Sequence, residues 1–339
     1  MSVPKLILIG AVILFASIGI GAFSKKSSSP SKKVISKEVK VETVDPSFSL
    51  ASNVSSSSIK KTLYEGSSMQ SSAPLFDGDL PHIDRIFQLF TTGASKLPIV
   101  ETVSYASQVA WLKGRPAWIA DYAVYYGTSK HFIARGLNKG PQYFSQKVAA
   151  GDQFNVFRKD KNIEFHLVAD LSRLKMLFYY VDLATRERVL LKVYSIGAGR
   201  IDEKRASGTL TPLGTYMLGD KIVVYKPGVM GVFCDQKTEM IRVFGTRWLP
   251  FELEIGECSD PAKGYGLHGA PWIFDAKKEK LVENKECIGK YESDGCIRLL
   301  LEDIEEIYAI VVTKPTFVHI VNNYRDSSLP GSEVGTPSR

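Results

Sequence analysis

The sequence predicts a mainly β domain with one packed helix, preceded by a small α+β or helical domain. Three observations carry that prediction. From residue 163 onward apolar residues recur with period two, the spacing of half-buried strands. A single strongly amphipathic stretch near residues 302–312 interrupts them with helical spacing. Between residues 80 and 157 the pattern is mixed, with short helical runs flanked by strand-like alternation. At 339 residues, 44% apolar, the chain has room for two folded units and appendages.

The elements follow in order. Residues 6–23 form an apolar run of 18 residues with only Lys5 ahead of it. That is just long enough to span a bilayer and longer than the ~7–15-residue apolar region of a secretory signal. Residues 1–23 are therefore expected to be an N-terminal membrane anchor or signal. Lys25, Lys26, Lys32 and Lys33 follow it, and by the charge rule they would face the cytoplasm. The expectation of an extracytoplasmic catalytic side is set against that rule and rests on the chemistry argued below. Residues 24–75 are rich in Ser and Lys without sustained periodicity, so they should form a disordered linker. Between residues 24 and 65 there are eight Lys against four Asp or Glu, so +4 of the net +7 charge sits in this tether. No Arg-and-aromatic face stands out elsewhere, which argues against nucleic acid as a partner.

Residues 76–160 should form the small domain. Ile83, Ile86, Phe87 and Phe90 predict a short helix over residues 81–91. Residues 103–109 alternate like a strand. Residues 118–123 and 131–135 predict two short helices split at Gly127-Thr128-Ser129, where a hydroxyl can cap the second. Residues 151–157 close the segment as a strand. This strand–helix–helix–strand order resembles a LysM glycan-binding module, although Gly114-Arg115-Pro116-Ala117 stands where that family has Gly-Asp-x-Leu. A small helical spacer is the other reading.

Residues 161–323 should form the β domain. Strands are predicted over residues 164–169, 174–181, 188–196, 240–245 and 316–321, with Thr211-Pro212-Leu213-Gly214-Thr215-Tyr216 leading into another. In the helix of residues 302–312, Leu301, Ile304, Ile307, Tyr308 and Val311 make the buried stripe, and Glu302 and Asp303 suit the positive end of its dipole. Residues 324–339 are expected to be a flexible tail.

The chemistry is concentrated in Ser293-Asp294-Gly295-Cys296-Ile297-Arg298, preceded by Leu267-His268-Gly269-Ala270-Pro271-Trp272. A cysteine attacks as the thiolate, so an enzyme that uses one sets a base or a cation beside it. His268, 28 residues ahead of Cys296, is the histidine read as its partner. Gly295 permits a sharp backbone turn, and the Gly295 and Cys296 amides are candidates for stabilising an oxyanion.

Thr-Pro-Leu-Gly-Thr-Tyr, then His-Gly-Ala-Pro-Trp, then Ser-x-Gly-Cys-Ile-Arg followed by an acidic amphipathic helix is similar to the YkuD family of L,D-transpeptidases, over residues 163–322. The resemblance implies a β-sandwich-like catalytic fold and peptidoglycan stem peptides as substrate, and the LysM-like segment adds glycan strands as a candidate further partner. It also implies a location in the cell envelope, with the catalytic domain outside the cytoplasm. Its nucleophilic Cys attacks the bond between the third stem residue, often diaminopimelate, and a D-Ala. D-Ala leaves, and an acceptor amine resolves the thioester. On this pattern Cys296 is the nucleophile and His268 the base, with Gly269 as its support. Ser293 matches the family's Ser/Thr, and Arg298 is a candidate partner for a substrate carboxylate. The same thioester released to water or to a protein amine would make a carboxypeptidase or a wall-protein ligase. A binding protein with a decayed site is the reading from another class.

Two features depart from the family. Asp294 stands where it usually has His. A carboxylate there either raises the thiol pKa or holds His268 in one tautomer, and the second geometry is the expectation. The 24 residues between His268 and Ser293 exceed the usual gap, which predicts a lid or side loop within residues 275–290. No CxxC or HExxH spacing is present, so neither metal nor cofactor is expected. Cys258 and Cys287 flank the His268 motif and are candidates for a disulfide, leaving Cys234 buried and reduced. His166 and His319 fall in predicted strands and read as packed structural residues; His82 and His131 carry no signal.

Overall fold

The structure, a computed structural model, describes residues 80–138, 148–219 and 223–334. The predicted anchor and the Ser/Lys linker lie outside the described residues. Among those described, no helix is long and apolar enough to cross a membrane.

The described residues open with a one-turn helix α1 (Phe87–Phe90) and strand β1 (Val100–Ser104). Helices α2 (Ile119–Tyr126) and α3 (Lys130–Asn138) follow, and β2 (Gln153–Phe157) returns antiparallel to β1. The strand–helix–helix–strand order is thus as read from the sequence, with two shifts. The first helix is shorter than predicted, because Asp84 is drawn into a bridge with Lys192 instead of a helical turn. Strand β1 starts three residues early and ends at Ser104, since Tyr105 turns inward to donate its hydroxyl to the Ala117 carbonyl at 2.7 Å.

The second part is mainly β. Its strands are β3 (Ile163–Asp170), β4 (Lys175–Asp182), β5 (Glu187–Ser195), β6 (Ala198–Gly199), β7 (Gly214–Leu218), β8 (Val223–Val224), β9 (Met230–Phe233) and β10 (Gln236–Glu239). Helix α4 (Ile241–Phe244) then leads to β11 (Arg247–Ile255), β12 (Gly266–Gly269), β13 (Trp272–Asp275), β14 (Lys280–Glu283), β15 (Tyr291–Ser293) and β16 (Ile297–Leu299). Helix α5 (Leu301–Val311), β17 (Thr316–Val321) and β18 (Ser332–Glu333) complete it. One ten-stranded sheet runs β16-β12-β11-β7-β17-β3-β4-β5-β18, with β8 on β11. The period-two segments pack Phe165, Leu167, Phe178, Leu191, Tyr216, Leu249, Leu267 and Ile297 into one core.

Three predicted elements differ. Residues 240–245 contain a helical turn rather than a strand; Gly245 ends it at φ +61°, where a Cβ would stand 2.7 Å from the Gly269 carbonyl carbon. The tail is ordered to residue 334, because Ser332–Glu333 pairs with β5 as an edge strand and Arg188 donates to the carbonyls of Leu329, Pro330 and Gly331. The excess between His268 and Ser293 is the antiparallel hairpin β13–β14.

Helix α5 was read as amphipathic, yet Glu305 and Glu306 are also buried. Its outer side is covered by the βααβ segment. Ser129 donates to the Ala309 carbonyl at 2.7 Å, and Arg135 pairs with Glu306 at 3.3 Å. Glu306 also takes Lys192 at 2.7 Å and the Tyr194 hydroxyl at 2.9 Å, so its charge is compensated as burial requires. Phe132 and Phe157 join the catalytic core cluster. The segment is therefore docked on the β domain through a shared interior.

Candidate active site

Strands β12 and β16 run parallel, with Leu267 opposite Ile297 and His268 opposite Arg298. Leu267, Ile297 and Leu299 are fully buried in the core. Strand alternation therefore sends His268 and Arg298 to the other face of the sheet. The Arg298 charge acts on both partners, disfavouring the protonated imidazole and favouring the thiolate. Sequence motifs about 30 residues apart thus meet because a parallel strand pair brings them into register.

The nucleophile turn is stapled by Ser293. Its Oγ accepts from the Gly295 amide at 3.1 Å and donates to the Cys296 carbonyl at 2.6 Å. Gly295 has φ +119°, and a Cβ there would lie 2.5 Å from the Tyr265 ring and 2.8 Å from the Leu210 carbonyl oxygen. Both the backbone angle and the close approach require glycine. With the Gly295 amide engaged by Ser293, the Cys296 amide is the remaining candidate of the two for an oxyanion.

His268 is 4% exposed, walled by Phe244 (ring centroids 5.4 Å apart, edge-on) and Trp248 (6.0 Å). Its Nδ1–H donates to the Gly269 carbonyl at 2.8 Å. A carbonyl accepts only, so this bond fixes the tautomer and leaves Nε2 with a lone pair. Burial, then the Arg298 charge, lowers its pKa to about 3. Asp294 does not reach it. Its carboxylate pairs with Arg200 at 2.6 Å, the two side chains 59% and 63% exposed. The tautomer-holding role expected of Asp294 is met by the Gly269 carbonyl, because Asp294 points outward from the turn while Cys296 points in.

The Cys296 thiol is part-buried and donates to the Gly264 carbonyl at 3.6 Å. Burial pushes its pKa up to about 12, opposed by the Gly266 amide and Arg298 and reinforced by Asp294. The resting site therefore pairs a neutral thiol with a neutral imidazole. A neutral thiol and a neutral imidazole can together carry out acyl transfer, the thiol proton moving to the base as the sulfur attacks.

The remaining cysteines are all free thiols. Cys258 donates to the Thr215 carbonyl at 3.3 Å, and Cys287 is buried where its thiol meets the Arg298 guanidinium. The expected Cys258–Cys287 staple is absent. Cys234 is exposed rather than buried, since it forms, with Asp235, the positive-φ turn of the β9–β10 hairpin. Among the described residues, no group of three or more His, Cys, Asp or Glu side chains is arranged to hold a metal ion.

Sequence reading missed Arg200, Tyr265, Phe244 and Trp248. Each lies 20 or more residues from its site partner, and only the sheet topology brings them in.

Residues 164–320 match the family model for YkuD, the L,D-transpeptidase catalytic domain. Among solved structures, the chain is similar to Bdellovibrio bacteriovorus Bd1075, at 14% identity and a TM-score of 0.31 over 47% of this chain and 48% of that one. It is also similar to the helical cell shape determining protein Pgp2 from Campylobacter jejuni, at 18% identity and a TM-score of 0.31 over 50% of this chain and 51% of that one. The chain thus spans about half the length of these structures. No curated protein matches its sequence.

Proposed function

From the premise that residues 164–320 are a YkuD-type L,D-transpeptidase catalytic domain, we propose that the protein cross-links peptidoglycan by cysteine acyl transfer. The observation that carries the reading is the shared face of β12 and β16. There, Arg298 stands opposite a His268 locked in the Nδ1–H tautomer, and its charge acts on Cys296 two residues before it.

In this scheme the Cys296 proton passes to His268 Nε2 as Sγ attacks the carbonyl carbon between the third stem residue and D-Ala. A C–S bond forms, and the Cys296 amide and Arg298 face the developing negative charge. His268 returns the proton to the D-Ala nitrogen as the C–N bond breaks, leaving a thioester. An acceptor amine then attacks, loses its proton to His268 and forms the new amide, and the sulfur leaves as the thiol. A peptidoglycan substrate implies work in the cell envelope, with the predicted N-terminal anchor as tether. The βααβ segment has the element order of a LysM module, which supports an auxiliary contact with glycan strands; Trp118, 64% exposed, is the most open aromatic among its described residues.

The test is to incubate the full-length chain, in detergent, with a stem tetrapeptide and a second stem peptide as acceptor. D-Ala release with a cross-linked dimer is expected. Release without a dimer would assign a carboxypeptidase, and capture of a protein amine a ligase. Neither D-Ala release nor a carbapenem adduct that depends on Cys296 would leave a wall-binding protein.

A further inference from the structure

The rim of the site carries a cation that the proposed chemistry has not used. Strand β6 runs parallel to β15, with Gly199 opposite Ser293, and the Arg200 amide donates to the Ser293 carbonyl at 2.9 Å. This places Arg200 beside Asp294, where the two side chains pair at 2.6 Å. Resting on the L,D-transpeptidase reading, we propose that Arg200 is a specificity-determining residue. Its guanidinium, steered by Asp294, takes a free carboxylate of the donor peptide, the one on the side chain of the diamino acid at the scissile bond.

Four features support this. Asp294 is two residues from Cys296, and Gly295 between them is wedged against Tyr265 and the Leu210 carbonyl, so the backbone joining Arg200's partner to Cys296 is fixed. The backbone under Arg200 is firm as well. Leu210 donates to the Arg200 carbonyl at 2.9 Å, Ile201 bridges to Thr209, and Arg205 anchors the same loop to Asp260 at 2.7 Å.

The guanidinium is 63% exposed, and a contact through one amino group leaves further N–H donors open for a carboxylate. An ion pair this exposed contributes little to fold stability, so holding the fold is a poor account of it. Finally, Arg298 is held deeper by the Cys287 thiol and the β12 pairing. The nucleophile turn is therefore flanked by two cations of different burial, Arg298 beside Cys287 and the exposed Arg200 beside Asp294. Without Arg200, Asp294 would stand alone at the mouth and repel an anionic peptide.

The experiment compares L-Ala-γ-D-Glu-diaminopimelyl-D-Ala with its diaminopimelate side-chain carboxylate free or amidated. Binding is titrated with the full-length Cys296→Ala protein in detergent, and turnover is followed with Cys296 present. The free acid is expected to bind about three- to tenfold more tightly than the amide. Arg200→Gln should erase that ratio, acting on KM far more than on kcat. Arg200→Lys should keep part of it, and Asp294→Asn should weaken it less than Arg200→Gln. Equal binding of the two peptides, or a preference that survives Arg200→Gln, overturns the proposal. If the preference and its loss are both seen but no D-Ala is released, the carboxylate site stands and the transpeptidase reading fails. If D-Ala is released from both peptides with an unchanged KM in Arg200→Gln, the reading stands and Arg200 is discarded.

Discussion

His268 and the His166–His319 pair are buried on the same side of the sheet, away from the main core, and burial holds all three imidazoles neutral. The pKa falls to about 3 at His268 and His166 and to about 4 at His319. What separates the two places is the use of the ring nitrogens. In the pair, His166 Nδ1 meets His319 Nε2 at 2.9 Å and His319 Nδ1 meets Thr215 Oγ1 at 3.0 Å. Phe317 stacks on His166 at 5.2 Å. At His268 one nitrogen is held by the Gly269 carbonyl, and the Arg298 charge acts on the ring. A depressed histidine pKa therefore reports desolvation, which both places share. Catalytic capacity comes from an uncommitted nitrogen beside a nucleophile.

The sharpest way to break that contrast is substitution. Cys296→Ala should cost about 10⁴-fold or more in D-Ala release, and His268→Gln about 10²–10⁴-fold. His166→Gln and His319→Gln should leave turnover close to wild type while lowering stability by about 1–3 kcal/mol in urea titrations. A large kcat loss in either pair variant would mean that the pair serves the reaction.

The next largest effect concerns the thiol. Because burial raises Cys296 to about 12, its iodoacetamide labelling rate should climb about tenfold per pH unit from 7 to 10, where an ordinary thiol flattens near ~8.5. Peptide mass analysis separates it from Cys234, Cys258 and Cys287. A plateau below pH 8 would show a thiolate already formed at neutral pH, with the site working as an ion pair.

A third effect is on stability against pH. An imidazole neutral in the fold and protonated in the unfolded chain makes the unfolded state bind more protons below ~6.5. The contribution is present in full above that pH and is lost as pH falls toward 3–4, the range to which His166, His268 and His319 are lowered. The slope is at most about 1.4 kcal/mol per pH unit for each histidine. Between pH 7.5 and 5.5 the double variant His166→Gln/His319→Gln should lose less stability than wild type, and His268→Gln should show a smaller flattening. Parallel curves would place the proton uptake elsewhere.

How much of this was legible in sequence follows from the range of each interaction. Cys296, His268 and Gly295 stand out in the sequence because they sit in short glycine-bearing motifs. The strands β3, β4, β5 and β17 were readable because one buried face imposes period two. The partner of Asp294 was not, because it pairs with a residue 94 positions upstream through strand register. The burial of Glu305 and Glu306 was hidden too, since an acidic helix face reads as solvated until another segment covers it. The turn before Gly245 looked like a strand because Ile241, Val243 and Phe244 are β-formers, and Gly269 packing overrides that preference.

The smallest effect tests the wall that keeps His268 dry. Phe244 meets the imidazole edge-on and is itself packed on Trp248 at 4.8 Å and on Tyr225 at 5.9 Å, so its ring is held by neighbours on two sides. Phe244→Leu should admit water to one face of the ring and leave the Gly269 bond intact. Desolvation is the largest cause of the lowered His268 pKa, so relieving it should raise that pKa toward ~6.5. The acid limb of the pH–rate profile should then move upward in pH, with kcat at pH 8 down by about two- to fivefold from lost orientation. If the limb stays in place, the charge of Arg298 rather than the aromatic wall keeps His268 neutral. Catalytic and structural histidines would then differ in how their pKa is lowered as well as in how their nitrogens are used.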